Sequence, residues 1–295
     1  MTEYAAELPS KKLVDLVDAI SMNYTLALES TPEAHWRLIY RFEIPRLLGY
    51  ERSVVATFDR SILISEVDRS FLAERGADRT KMAVVPNGTD LITAGGSGEM
   101  SEDMDVLFHG NMVTQANRAA AMYFLQDVLP LLRQSGSSPG VYIVGTSPSA
   151  KLRNMADGQN IRVTGEVADV TRYLLRSKVV VAPMVFGAGV QNKILEAMAV
   201  GKPVVTTSLG AEGIDGRSGE HFIVADSPAE FAAATKRLLE DPALRASLGM
   251  AGRKLIREKY TWDTSGRRLL EEVASVLPSP TLQYRDSHFT KGVSS

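Results

Sequence analysis

The sequence predicts an α/β protein whose C-terminal half is a parallel, doubly wound, Rossmann-like sheet. Short β-branched runs such as VLF, VYIV, VVVA and PVVT recur from residue 105 onward. Strands apolar at every position suit a sheet covered by helices on both faces. Segments of helical period separate these runs, with short connections, and such alternation builds parallel sheets. Four of the five loops expected after these strands carry glycine at or next to the strand end. Glycine there permits tight turns and close approach of backbone to a ligand.

The elements read as follows. Residues 13–20 (LVDLVDAI) form an apolar run predicted as a strand. A long helix is predicted from residue 32 to about residue 58, with Trp36, Tyr40, Ile44, Leu47, Leu48 and Val55 at helical spacing. Thr31 suits its N-cap and Pro32 its first position. A strand at 61–65, a helix at 66–75 closed by Gly76, and a strand at 82–85 come next, ahead of Pro86-Asn87-Gly88. Residues 89–104, holding Gly95, Gly96 and Gly98, read as a linker. Further strands are predicted at 105–109, 141–144, 161–163, 179–182, 203–206 and 222–224. Helices are predicted at 117–133, 149–156, 169–176, 190–200, 228–240, 243–259 and 262–276.

This divides the 295 residues into a partial N-terminal α/β domain (1–88), the linker (89–104), a second domain (105–260), a C-terminal helix (261–276) returning toward the first domain, and a polar tail (277–295) expected to be disordered. The net charge of −2 provides no basic field for nucleic acid. Absence of cysteine excludes disulfides, thiolate metal sites and cysteine catalysis. The N-terminus shows no apolar leader and no run approaches a membrane span, so a cytoplasmic location is expected.

The sharpest feature is residues 186–205. Gly187, Ala188 and Gly189 make a small-residue loop opening a helix, where free N–H groups and the helix dipole favour an anion. Lys193 in the first turn can meet a phosphate, and Glu196 one turn on can accept from sugar or ribose hydroxyls. The competing reading is an amphipathic helix with Lys193 and Glu196 as a solvated pair.

The stretch GAGVQNKILEAMAVGKPVVTTSLGAEGI resembles the donor-binding segment of GT-B glycosyltransferases of family 4. Residues 105–112, 141–145 and 163–167 resemble further strands and loops of that family's second domain. Arg41, Glu43, Arg46, Tyr50, Glu51, Ser65, Glu66 and Pro86-Asn87-Gly88 resemble the end of the first domain in bacterial exopolysaccharide sugar transferases. The resemblance covers most of residues 11–276.

It implies a GT-B-like fold and retaining transfer of a sugar from a nucleotide diphosphate to an acceptor hydroxyl, in polysaccharide or exopolysaccharide biosynthesis, with no catalytic metal and no cofactor. The acceptor is expected to be a carbohydrate or lipid-linked. A peripheral position at the inner face of the membrane would suit a lipid-linked acceptor. The implied donor-binding residues are Gly110, Asn111, Gly145, Glu166, Val167, Gly187, Ala188, Gly189, Lys193 and Glu196. Among them Glu196 would meet the ribose, and Glu166 and Val167 would lie near the base.

There are departures. The first glutamate of the family's paired-glutamate motif falls at Ala188. The Arg and Lys that relatives place after the first strand of this domain give way to Asn111 and Asn117, with Arg118 close by. First-domain catalytic groups have no evident counterpart, so the catalytic residues stay unassigned. The first domain reads as truncated, leaving a sheet edge and apolar helix faces for a partner chain to cover. Two other readings therefore stand: a non-catalytic nucleotide-sugar-binding subunit, and a nucleotide-sugar epimerase. Asp103 and Asp105 match the Asp-x-Asp pattern of metal-dependent transferases, but they precede their strand instead of ending it. His109 ends a strand facing the expected cleft, and a packed histidine is the competing reading.

Overall fold

The computed structural model describes residues 5, 7–31, 33–90, 102–187 and 189–277. Pro32, most of the expected linker with its glycines, Ala188 and the tail from 278 lie outside the described residues.

The first unit holds a parallel sheet of three strands, β1 (Leu13–Val17), β2 (Arg60–Leu63) and β3 (Met82–Val84), in that order. Its helices are α1 (Ile20–Ser30), α2 (Ala34–Thr57) and α3 (Glu66–Glu74). The expected strand over 13–20 is thus cut short, and a helix begins inside it. The cause is polar and tertiary. Asp68 of α3 accepts from the Ala19 N–H at 2.9 Å, and Glu51 of α2 accepts from the Ser21 N–H at 3.1 Å. These anchors capture the start of α1, and no periodicity reports them. Thr31 closes α1 by donating its N–H to the Ala27 carbonyl, while Glu33 stands at the N-cap of α2. Ala19, Met22, Val55, Leu63, Leu72 and Met82 form the core of this unit.

The second unit has six parallel strands: β4 (Met104–His109), β5 (Val141–Val144), β6 (Ile161–Gly165), β7 (Ser177–Ala182), β8 (Val204–Thr206) and β9 (Ile223–Val224). They lie in the order β6-β5-β4-β7-β8-β9, the doubly wound order of dinucleotide-binding sheets. On one face, α4 (Gln115–Tyr123) runs through a π turn (Phe124–Val128) into α5 (Leu129–Gln134) and packs with α10 (Pro228–Glu240). Pro130 lacks the N–H that a continuous α-helix needs and crowds the carbonyl four residues back. That explains the π turn inside the single helix expected at 117–133. Phe124 and Phe231 meet edge to face there, 6.2 Å between centroids. The other face carries α7 (Thr171–Arg176), α8 (Asn192–Ala199) and α11 (Pro242–Lys259), where Leu107, Leu195, Met198 and Ile256 are buried together. Two further short helices are α6 (Ala150–Arg153) and α9 (Ser208–Ala211).

The last helix, α12 (Trp262–Val276), packs against the first unit. The Ser265 hydroxyl donates to the Pro86 carbonyl at 2.6 Å, and Arg60 pairs with Glu272 at 2.8 Å. The Thr89 N–H donates to the Tyr260 carbonyl at 2.8 Å. A Cβ on Gly88 would fall 2.4 Å from the Trp262 nitrogen, which is why the turn after β3 takes glycine.

In the first sheet β1 is an edge. Beside it α1 and α2 leave Ile20, Trp36, Leu38, Ile39 and Phe42 exposed. Among the described residues no helix is long and apolar enough to cross a membrane.

Candidate functional site

In the second sheet the winding direction reverses between β4 and β7, so the loops after these strands diverge and open a crevice at their carboxyl ends. The glycine loops meet here. A Cβ on Gly145, at φ 146°, would fall 1.8 Å from the Gly110 carbonyl oxygen, so only glycine fits. The Gly110 N–H donates to Val144 O at 3.0 Å, and the Gly145 N–H to Gly165 O at 3.1 Å. Gly110, Asn111 and Gly145 therefore form one interlocked rim.

The polar side chains of this rim shape it. The Asn117 amide donates to the Asn111 carbonyl at 2.9 Å, and Asn111 Oδ1 accepts from the Val113 N–H at 2.9 Å. The Arg118 guanidinium donates to the Met112 and Val113 carbonyls at 2.9 and 2.7 Å. Arg118 thus braces the loop. Glu166 is exposed and Val167 packs on the core, both after the outermost strand β6 and two strands away from the crevice's centre.

The loop after β7 supplies the other wall. Gly187 and Gly189 take φ of 108° and 84°. A Cβ on Gly187 would sit 3.3 Å from Ala116, so this loop lies against the start of α4. Helix α8 follows, its N-cap Gln191 making no side-chain capping bond. Its first-turn N–H groups therefore receive no side-chain cap.

Lys193 is only 8% exposed. Its ammonium donates to Gln191 Oε1 at 2.8 Å, lies 3.5 Å from Met184 Sδ, and stands 6.0 Å from the centroid of the Phe108 ring. All three partners are neutral, and no carboxylate forms a salt bridge with it among the described residues. Burial pushes its pKa down to about 8, against the milder opposing pull of Glu196. The solvated-pair reading therefore does not describe Lys193, which is buried, whereas the Glu196 side chain keeps 33% exposure. Burial raises the Glu196 carboxyl above the usual range, with Lys193 opposing.

His109, the last residue of β4, is 4% exposed. Its Nε2 lies 3.2 Å from the Lys193 carbonyl oxygen and its Nδ1 lies 3.6 Å from Glu196. Burial, then the Lys193 charge, depresses its pKa to about 4. At neutral pH the ring is uncharged, so the contact with Glu196 is no ion pair. Nε2–H donates to the carbonyl and Nδ1 faces the carboxyl group. The packed-histidine reading holds, and the packing has a purpose, because His109 pins α8 to the sheet.

Asp103 and Asp105 are placed against a metal role. They sit at the amino end of β4, opposite the glycine loops, where Asp103 pairs with Arg176 and Asp105 with Lys178 at 2.7 Å.

One residue escaped the sequence reading. Asp18, just after β1, reaches from the first unit to the loop after β7. A Cβ on Gly189 would lie 3.1 Å from Asp18 Oδ1. Its only sequence signal is an aspartate closing an apolar strand, a pattern shared by many solvated turn residues.

A Rossmann-order sheet with glycine loops and an anion-ready helix start, facing a second parallel unit and tied to it by a returning last helix, is the architecture of GT-B glycosyltransferases. Residues 103–241 match the model of the family Glycosyl transferases group 1. It is 28% identical over 229 residues to a phosphatidyl-myo-inositol mannosyltransferase of Mycobacterium leprae, covering 74% of this chain and 59% of that protein. It is 26% identical over 296 residues to a D-inositol 3-phosphate glycosyltransferase of Streptomyces avermitilis, covering 90% and 60%. The chain thus spans about three-fifths of the length of these relatives. Among solved structures, sucrose-phosphate synthase from Thermosynechococcus elongatus superposes with a TM-score of 0.70 at 18% identity, covering 92% of this chain and 69% of that one. Anabaena HepE in complex with UDP and glucose gives 0.68 at 15% identity, covering 90% and 72%.

Proposed function

We propose that this chain binds a nucleotide diphosphate-sugar in the crevice between β4 and β7 and takes part in its retaining transfer to an acceptor hydroxyl. The observation that carries this reading is Lys193. A buried ammonium with only neutral partners is a costly charge, and it stands one residue into a helix whose first-turn N–H groups receive no side-chain cap. A diphosphate would repay that cost. It would rest on the α8 amino end and Lys193, with the Gly110, Asn111 and Gly145 rim and the residues 187–189 loop close to it. Glu196 would take the ribose hydroxyls, and Glu166 with Val167 would border the base.

In the transfer, the bond from the anomeric carbon to the diphosphate oxygen breaks as a bond to the acceptor oxygen forms. The acceptor's proton leaves with the diphosphate. Lys193 and the helix dipole would stabilise the charge growing on the leaving group. No metal enters this scheme. The name of the mycobacterial relative includes phosphatidyl-myo-inositol. That, with the basic residues Arg253, Lys254 and Arg257 on α11, supports a lipid-linked or carbohydrate acceptor met at a membrane surface inside the cell. Polysaccharide biosynthesis is the setting this suits.

The open β1 edge and the exposed apolar side chains of α1 and α2 favour a second reading. Here the chain is a nucleotide-sugar-binding subunit that works with a partner chain covering that surface. Release of UDP from UDP-glucose, or of GDP from GDP-mannose, with and without vesicles of phosphatidylinositol or soluble sugars, separates the two. Acceptor-dependent release supports the transferase. Tight donor binding with no release supports the subunit.

A further inference from the structure

We infer that Asp18 is a sugar-binding residue: its carboxylate crosses from the first unit to accept hydrogen bonds from hydroxyls of the donor's sugar beside Gly189. This rests on the donor-site reading above.

Four observations support it. First, Asp18 Oδ1 is buried and, among the described residues, has no hydrogen-bond partner. A buried acceptor without a donor is costly unless a ligand supplies one. Second, this oxygen is the atom nearest to where a Cβ on Gly189 would stand, at 3.1 Å. Any side chain at 189 would press on this oxygen, and glycine does not.

Third, the loop facing Asp18 has no polar side chain of its own. From Phe186 to Val190 it reads Phe-Gly-Ala-Gly-Val. Hydroxyls placed there find only backbone on that side, so a side-chain acceptor must come from across the cleft. Fourth, the backbone is bent to present the carboxylate. The β1–β2 register shifts between Asp15 and Val17, and Val17 adopts φ 65°. A β-branched residue in the left-handed region is a strained outlier, and bulges at strand ends re-aim the side chains that follow. Both devices act directly before Asp18. Burial, together with the nearby Asp68 charge, also raises its carboxyl pKa, consistent with an acceptor waiting for donors.

The test is calorimetric titration of UDP, GDP, UDP-glucose and GDP-mannose into the parent chain and Asp18→Asn, which keeps the side chain's shape. The bare diphosphates are expected to bind both proteins alike. The sugar nucleotide that binds the parent is expected to bind Asp18→Asn about tenfold or more weakly, the loss typical of a charged hydrogen-bond acceptor. Equal binding of that sugar nucleotide to parent and variant would overturn the inference while leaving the donor site standing. Failure of the parent to bind any of the four would overturn the donor-site reading, and this inference with it. Because Asp18→Asn removes a charge beside Asp68, its melting temperature is expected at or above the parent's, which separates lost contact from lost fold.

Discussion

The imidazole of His109 lies 3.2 Å from the backbone carbonyl of Lys193, so the last residue of β4 holds the first turn of α8 against the sheet. The crevice and the helix that closes it are thereby one rigid piece. Nε2–H donates to that carbonyl, while burial, and then the Lys193 charge, disfavour a second proton on the ring.

This makes stability fall in acid. The folded pKa of His109 is about 4 against an ordinary 6.5. The unfolded chain therefore binds more protons between those values. The stabilising contribution is complete above pH 6.5 and is lost as pH falls toward 4, about 3 kcal/mol in all. Urea denaturation of the parent and His109→Phe at about pH 7 and about pH 4.5, on either side of most of that loss, checks this. The parent should lose more stability than the variant over that interval.

Lys193 follows the same rule at higher pH, so at neutral pH its cost to the ligand-free fold is already complete. Holding its ammonium in a buried pocket lowers the pKa from 10.5 to about 8, which costs about 3 kcal/mol at neutral pH. Lys193→Met should therefore unfold at a higher urea concentration than the parent at neutral pH, although it removes a site residue. A lower midpoint would mean that the ammonium is compensated.

Donor affinity should titrate with the same group. The protonated amine binds the anion, so affinity is level below about pH 7. It falls as pH rises through 8, approaching about tenfold per pH unit. Titrations from about pH 6.5 to about pH 9.5 read this directly. A flat profile would place the charge that meets the diphosphate elsewhere.

Gly145→Ala drives a methyl group into the Gly110 carbonyl, at a φ that alanine rarely adopts. The expected cost is roughly 2 kcal/mol or more. The rim should open, so calorimetry should show both a lower melting temperature and weaker diphosphate binding. Gly136→Ala, with no atom within 4 Å of its Cβ position, is the control for a positive-φ glycine away from the crevice.

How much of the molecule was legible in the sequence depends on the range of the forces involved. The second sheet was legible because its central strands are apolar on both faces, and the repeat of VLF, VYIV and VVVA is a local signal. The α8 motif was legible because a glycine loop and a first-turn lysine are adjacent in the chain. The start of α1 was not, since it depends on Asp68 and Glu51, carboxylates 49 and 30 residues away from their partners. Asp18 was missed for the same reason: its meaning comes from Gly189, which only folding brings near. Arg118 misled in the other direction. It is close to the rim in sequence, yet its guanidinium is committed to the loop carbonyls.

Everything proposed for the crevice turns on Lys193 and the start of α8 holding a nucleotide's diphosphate. Calorimetric titration of UDP and GDP, and of their glucose and mannose conjugates, into the parent and Lys193→Met at neutral pH tests it most directly. Saturable binding of at least one pair to the parent is predicted, weakened about tenfold or more in the variant while the fold grows more stable. Binding of equal strength to both proteins, or no binding of any nucleotide to the parent, would contradict it.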